Sequence, residues 1–259
     1  MGIYVGIGGW VFPEWRDNFY PKGLSQKREL EYASSKLTAI EINGTYYGSQ
    51  KPESFRKWHD ETPEGFVFTL KGPRFATNRR VLAEAGDSIN RFLDSGVTEL
   101  KDKLGPLNWQ FMATKKFDAA DFEAFLKLLP KKHGGKELRH AVEVRHDSFK
   151  DKAFVQMCRD HGVAIIFAAD SEFPTIGDVT ADFVYARLMG TQEKEKLGYP
   201  KPMLSTWAER AQEWASGLDA RKFAVAPAAP KKKRDVFLFV ISGAKEKNPA
   251  AAQGIIAAL

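Results

Sequence analysis

The sequence predicts a (β/α)₈ barrel folded as a single domain over residues 1–259, and three observations carry that expectation. The length matches the usual span of one such barrel. Eight short apolar runs recur along the chain, several near-continuous, as strands covered on both faces must be. Amphipathic stretches of helical length separate them, and that alternation implies parallel βαβ units.

In order, the runs are Ile3–Ile7, Leu37–Ile42, Phe66–Leu70, Leu107–Met112, His140–Val144, Val163–Phe167, Phe183–Leu188 and Val236–Ile241. Between the third and fourth, Ile89, Phe92, Leu93, Val97, Leu100 and Leu104 recur at spacings of three and four, predicting one helical face. Phe122, Phe125, Leu126 and Leu129 repeat the pattern behind a predicted N-cap at Asp118. Spacing is uneven at the end: residues 168–182 separate the sixth and seventh runs, against 189–235 before the eighth. An open doubly wound sheet is the alternative which that irregularity leaves.

Hydrophobic residues make up 43% of the chain and aromatics 12%, a globular composition that excludes a disordered chain. The net charge of +6 permits an anionic partner without requiring one. Cys158 is the only cysteine, which excludes an internal disulfide framework and a cysteine-rich zinc site and favours a reducing compartment. It shares an apolar helical stripe with Phe154 and Met157 and reads as core. No run approaches the length of a membrane span, and Met1-Gly2-Ile3-Tyr4-Val5 shows no signal peptide, so the expectation is a cytoplasmic protein without membrane partners.

Polar side chains gather at the ends of the predicted strands. They are Trp10 after the first, Glu41 and Asn43 at the second, Lys71 at the third and Gln110 in the fourth. Glu143, Arg145 and His146 close the fifth, Asp170 follows the sixth, and Arg187 lies near the end of the seventh. Residues two apart in a strand share a face, so Glu41 points with Asn43, and Glu143 with Arg145. Ionisable groups aimed into a barrel are costly unless paired or solvated, and ion pairs such as Glu143 with Lys71 or Arg187 would meet that need structurally. Convergence of the whole set on one end points to a functional pocket, because barrel enzymes build their sites at the C-terminal face.

The same residues fall into ordered motifs. Gly8-Gly9-Trp10 with Trp15 and Phe19-Tyr20-Pro21 comes first, then Glu41-Ile42-Asn43 with Tyr46-Tyr47, Trp58, and Phe66-Val67-Phe68 with Lys71. Lys103-Leu104-Gly105-Pro106 with Gln110, Val142-Glu143-Val144-Arg145-His146 with Ser148, and Tyr185-Ala186-Arg187-Leu188 follow. Over almost the whole chain this series resembles domain-of-unknown-function family 72, the YecE-like proteins, which implies a (β/α)₈-type barrel. Four places depart from the family pattern: Asn78 and Met189 where histidines are usual, Phe111-Met112-Ala113 where Pro-Pro follows an apolar residue, and Ser242-Gly243 where Asn or Asp is typical. They argue for a divergent member, and they bear on any metal or acid–base role inherited through the family.

Other motifs carry less. Gly6-x-Gly8-Gly9 lacks the third glycine of a dinucleotide fingerprint, which falls on Val11, and reads as a tight strand-to-loop turn. Neither a Walker loop nor a Gly-x-Ser-x-Gly elbow is present. Of five histidines only His146 sits at a strand end beside carboxylates; Glu41, Glu143, Asp170 and His146 could hold a hard divalent cation, but no close ligand spacing supports one, and no metal or other cofactor is predicted. Lys231-Lys232-Lys233-Arg234 resembles a basic import or nucleic-acid patch, yet on a barrel it falls on the face opposite the pocket and reads as a solvated loop.

The leading expectation is an enzyme acting on a small anionic or sugar-like molecule. Arg145, Arg187 and Lys71 would hold anionic groups, Glu143 or Glu41 would serve as general acid or base with His146 and Asp170 nearby, and Asn43 and Gln110 would orient polar groups. Trp10, Tyr46 and Tyr47 would supply a stacking platform. A nucleic-acid-binding or processing protein and a catalytically degenerate binding module are the alternatives. Oligomeric state is not specified by the sequence.

Overall fold

Seven of the apolar runs become uninterrupted strands: β1 (Ile3–Gly8), β2 (Ala39–Ile42), β3 (Val67–Lys71), β4 (Leu104–Gln110), β5 (His140–Glu143), β7 (Phe183–Leu188) and β8 (Asp235–Val240). The sixth, β6, is split, with Ala164–Ile165 pairing parallel to β5 and Phe167–Ala169 pairing parallel to β7. The Ile166 amide between the two halves donates to Val142 O at 2.9 Å. Every neighbouring pair of these strands is parallel, and the sheet returns on itself through the two halves of β6. This computed structural model describes all residues from 1 to 259 and corresponds to the predicted barrel rather than to an open sheet.

Helices α1 (Glu29–Lys36) and α2 (Pro52–Asp60) follow β1 and β2, and a short α3 (Arg74–Thr77) and α4 (Gly86–Asp94) follow β3. Then come α5 (Ala119–Leu128) and α6 (Lys152–His161), with α7 (Lys201–Ser216) and α8 (Asn248–Ile256) after β7 and β8. None of them is long and apolar enough to cross a membrane. The pleat separates two cores. Outward residues such as Ile40, Phe68, Val142 and Leu238 join the large cluster beneath the helices, where Cys158 is also fully buried. Inward residues including Ala39, Val67, Phe183, Tyr185, Phe237 and Phe239 fill the barrel itself.

The barrel interior changes character along its axis. At the N-terminal end Tyr4 stacks on Phe237 at 5.0 Å, and Arg139 lies 4.8 Å above the same ring while pairing with Asp235 at 2.8 Å. At the C-terminal end the inward positions are polar. Gly6 is required where β1 meets β2, since a Cβ there would lie 1.8 Å from Ala39 O.

Three boundaries differ from the sequence expectation. β4 begins at Leu104, three residues early, because a register shift between Phe68 and Leu70 makes room for Gly105-Pro106, whose proline cannot donate to a regular ladder. The helical face drawn from Ile89 to Leu104 breaks at Gly96, which adopts φ +103° and ends α4; the rest is a tighter 3₁₀ stretch, and Leu104 already belongs to β4. No helix follows β6. The segment between α7 and β8 covers that gap: Asp178 accepts from the Val225 and Ala226 amides at 2.6 and 3.0 Å, and Phe223 packs on Phe167. This accounts for both the short sixth connection and the long seventh one.

Candidate functional site

Strand pleating brings five charged side chains to the C-terminal mouth, one above the next. Arg187, on β7, is at the centre. Its Nη2 donates to Glu41 Oε1 at 2.8 Å, and its Nη1 donates to Glu143 Oε2 and, at 3.3 Å, to Gln110 Oε1. Glu41 Oε2 also accepts from the Tyr185 hydroxyl at 2.5 Å and Asn108 Nδ2 at 3.3 Å. Glu143 Oε1 accepts from Arg145 Nε at 2.6 Å, and Arg145 Nη2 reaches Gln110 Oε1 at 2.8 Å. Both carboxylates are fully buried. Burial opposes their ionisation, but Arg187 and the neighbouring cations outweigh it and hold both below the usual carboxylate range.

Lys71 stands apart from this network. Only 8% exposed, its ammonium makes no hydrogen bond or ion pair and lies 5.2 Å from the Tyr46 ring centre. Burial and the adjacent Arg187 push its pKa down to about 8, against the partial opposition of Glu41 and Glu143. With Lys71 protonated, three cations face two carboxylates, so the floor carries an excess positive charge.

Above the floor opens a cavity of about 810 Å³. Lys71, Gln110, Arg145 and Arg187 form its polar base, Trp10, Tyr47 and Trp58 an aromatic wall, and Asn43 part of its side. Trp10 meets Trp58 edge to face at 5.3 Å, and Phe173, from the loop after β6, lies under the Arg145 guanidinium at 4.2 Å. Gly9, at φ +75°, makes the turn that admits the cavity behind β1, with its amide donating to Glu41 O at 2.8 Å.

Ten of the twelve candidate residues therefore gather around the mouth, and seven of them line the cavity; Glu41, Glu143 and Tyr46 do not. Glu41 and Glu143 lie under Arg187 rather than on the cavity wall, because their oxygens are spent on buried donors. Tyr46 stands behind Lys71, its hydroxyl directed to Asn78 at 3.4 Å. His146 and Asp170 are placed elsewhere. His146 caps the turn at Asp147–Phe149, with Nδ1 accepting from the Ser148 amide at 3.1 Å. Asp170 is exposed in a left-handed turn, φ +53°, and accepts from the Tyr199 hydroxyl at 3.0 Å. Glu41, Glu143, Asp170 and His146 thus do not form a ligand set, and no three His, Cys, Asp or Glu side chains lie together in a way that could hold a metal ion.

Several site residues escaped the sequence reading. Thr69, Asn108 and Tyr185 each lie two residues before a floor residue on the same strand, and period-two spacing from Lys71, Gln110 and Arg187 was the signal for them. Glu172 and Phe173, on the helix-free connection, carried no such signal. Met189 and Ser242, two of the four departures from the family pattern, line the cavity, whereas Asn78 and Met112 do not.

The family description "Protein of unknown function DUF72" matches residues 4–259. The chain belongs to the DUF72 family. Among curated relatives it is 27% identical to the UPF0759 protein YecE of Escherichia coli over 62% of this chain and 55% of that protein. It is 33% identical to the UPF0759 protein YunF of Bacillus subtilis over 42% of this chain and 39% of that one. These matches span about half the length of the curated relatives or less. A DUF72 crystal structure from Thermotoga maritima superposes with a TM-score of 0.74 at 22% identity, covering 99% of this chain and 98% of that one. At that identity the likeness establishes the DUF72 barrel fold and nothing of its chemistry.

Proposed function

We propose that this DUF72 barrel is an enzyme whose mouth binds a small anionic, sugar-like molecule, with Lys71 as its acid–base group. One observation carries the reading: a buried, unpaired ammonium faces a cavity whose floor is otherwise ion-paired and holds one positive charge in excess. A carboxylate or phosphate ligand would supply the missing counter-charge. Arg145 has its Nη1 free for such a ligand, and a guanidinium presents the paired donors these anions accept. The aromatic wall suits the apolar face of a sugar or other ring.

Acid–base work needs a group that titrates near the operating pH. Glu41 and Glu143 are held ionised and shielded from the cavity, and at its base Lys71, with its pKa pushed down to about 8, is the group placed to exchange a proton. The nucleic-acid alternative draws less support. Arg234 of the basic run is buried, donating to the Ala181, Lys232 and Pro230 carbonyls, and the exposed Lys231–Lys233 precede β8 at the end of the barrel away from the mouth.

A thermal-shift panel of inorganic phosphate, sugar phosphates, sugar acids and short oligonucleotides tests the reading. A ligand at a hundred times its Kd adds about 2.7 kcal/mol and raises Tm by several degrees. The expected pattern is a shift from a small anion that weakens in Arg145→Gln and survives alanine substitution of Lys231–Lys233. A shift from oligonucleotides alone, erased by salt, would replace the small-anion reading with a nucleic-acid one.

A further inference from the structure

We propose that Lys71 binds its ligand covalently, its ε-amine condensing with the carbonyl carbon of a small molecule that also carries a carboxylate or phosphate. This inference rests on the mouth being an anion site and names the chemistry performed there.

The two buried lysines of this chain differ in one telling respect. Lys103 Nζ donates to His59 O and Thr62 O, both at 2.6 Å, and to Thr62 Oγ1 at 3.1 Å, so its three donors are saturated and its burial is structural. Lys71 is buried to a similar degree and has no acceptor at all. An unpaired buried cation is a cost that an apolar side chain of the same length would avoid. Its backbone is nevertheless pinned, with Lys71 O accepting from Thr45 Oγ1 at 2.7 Å and the next amide, of Gly72, donating to Asn108 O at 2.8 Å. The stem is fixed while the amine stays free and faces the cavity.

These are the requirements of an amine nucleophile: a largely desolvated nitrogen open to the cavity alone, a neighbouring cation that disfavours its protonation, and no acceptor holding its protons. Arg187 supplies the neighbouring cation; the carboxylates that would oppose it, Glu41 and Glu143, are engaged by Arg187 and Arg145. The balance is simple. Lys71 gives up two protons, one on passing from ammonium to amine and one after its nitrogen bonds to the carbonyl carbon; the carbonyl oxygen takes up both and leaves as water. The product is an iminium, so Lys71 is a cation before and after and the charge of the floor is conserved. Acyl transfer to the same amine would leave a stable amide rather than a readily reversed C=N bond.

The full chain is incubated separately with pyruvate and with glyceraldehyde 3-phosphate in the presence of cyanoborohydride, which reduces the C=N bond, and adducts are located by intact mass and peptide mapping. Inorganic phosphate is tested in parallel by thermal shift. The expected result is one adduct per chain on the Lys71 peptide, absent in Lys71→Met and slowed by added phosphate. At pH 7 it should form on the order of tenfold to a hundredfold faster than at surface lysines, because lowering the pKa from 10.5 to about 8 raises the free-amine fraction. A preference between the two probes tells a carboxylate ligand from a phosphate one. Adducts scattered over surface lysines with Lys71 unmodified, while phosphate still raises Tm, would overturn the covalent chemistry and leave the anion site standing. Absence of both adduct and phosphate shift would overturn both.

Discussion

Arg187 bridges Glu41 and Glu143, donating from Nη2 to the first at 2.8 Å and from Nη1 to the second. The two carboxylates come from β2 and β5, so one guanidinium from β7 ties three strands together beneath the cavity. A buried ion pair adds little net stability, but removing one partner leaves the others charged and desolvated. Arg187→Met is therefore expected to cost about 3–5 kcal/mol at pH 8 in urea unfolding. Without Arg187, burial raises the carboxylate pKa values, the folded state takes up protons more readily than the unfolded one, and the deficit should shrink at pH 5.

Glu143→Gln separates structure from chemistry. The amide keeps the shape but loses the charge between Arg187 and Arg145, at an expected cost of about 1.5–3 kcal/mol. Glu143 also helps to keep Lys71 protonated, so the Lys71 pKa should fall further below 8. Acylation of Lys71 followed by mass spectrometry across pH 6–10 reads that shift. An unchanged profile would contradict the electrostatic coupling between the two residues.

Much of this site was legible in the sequence, and the failures have physical causes. Period-two spacing aligned Glu143 with Arg145, and the same rule extends to Tyr185 beneath Arg187 and Asn108 beneath Gln110. Spacing cannot tell which carboxylates a central arginine will consume, so Glu41 and Glu143 read as acid–base groups although they are its counter-ions. His146 and Asp170 follow strand ends in sequence, but capping and a left-handed turn direct them elsewhere. The helix missing after β6 was visible only as short spacing, because the segment that covers the gap comes from another connection.

Lys71 makes stability depend on pH in a definite direction. Its folded pKa, about 8, lies below the ordinary 10.5, so between these values the unfolded chain binds more protons and stability rises with pH. Lys71→Met removes the effect. The variant should be more stable than the parent by roughly 2–3 kcal/mol at pH 7, and the gap should close toward pH 10.5. Paired denaturation curves at pH 7 and pH 9.5 check this; a constant gap would mean that Lys71 titrates normally.

Asp178 holds the segment that replaces the missing helix, through the Val225 and Ala226 amides. Asp178→Ala should cost about 3 kcal/mol, since two charge-assisted hydrogen bonds are lost, and should open residues 218–234 to limited proteolysis. Intact protection of that stretch would show that apolar packing alone retains it.

Lys71 is an unpaired amine, its pKa pushed down to about 8, in an anion-attracting mouth. An NMR titration of ¹³C/¹⁵N-lysine-labelled protein, with the Lys71 resonance assigned by its loss in Lys71→Arg, tests this most directly. The expected midpoint lies near pH 8 and rises when inorganic phosphate is added, because the anion supplies the missing counter-charge. A midpoint near 10.5, unmoved by phosphate, would contradict it.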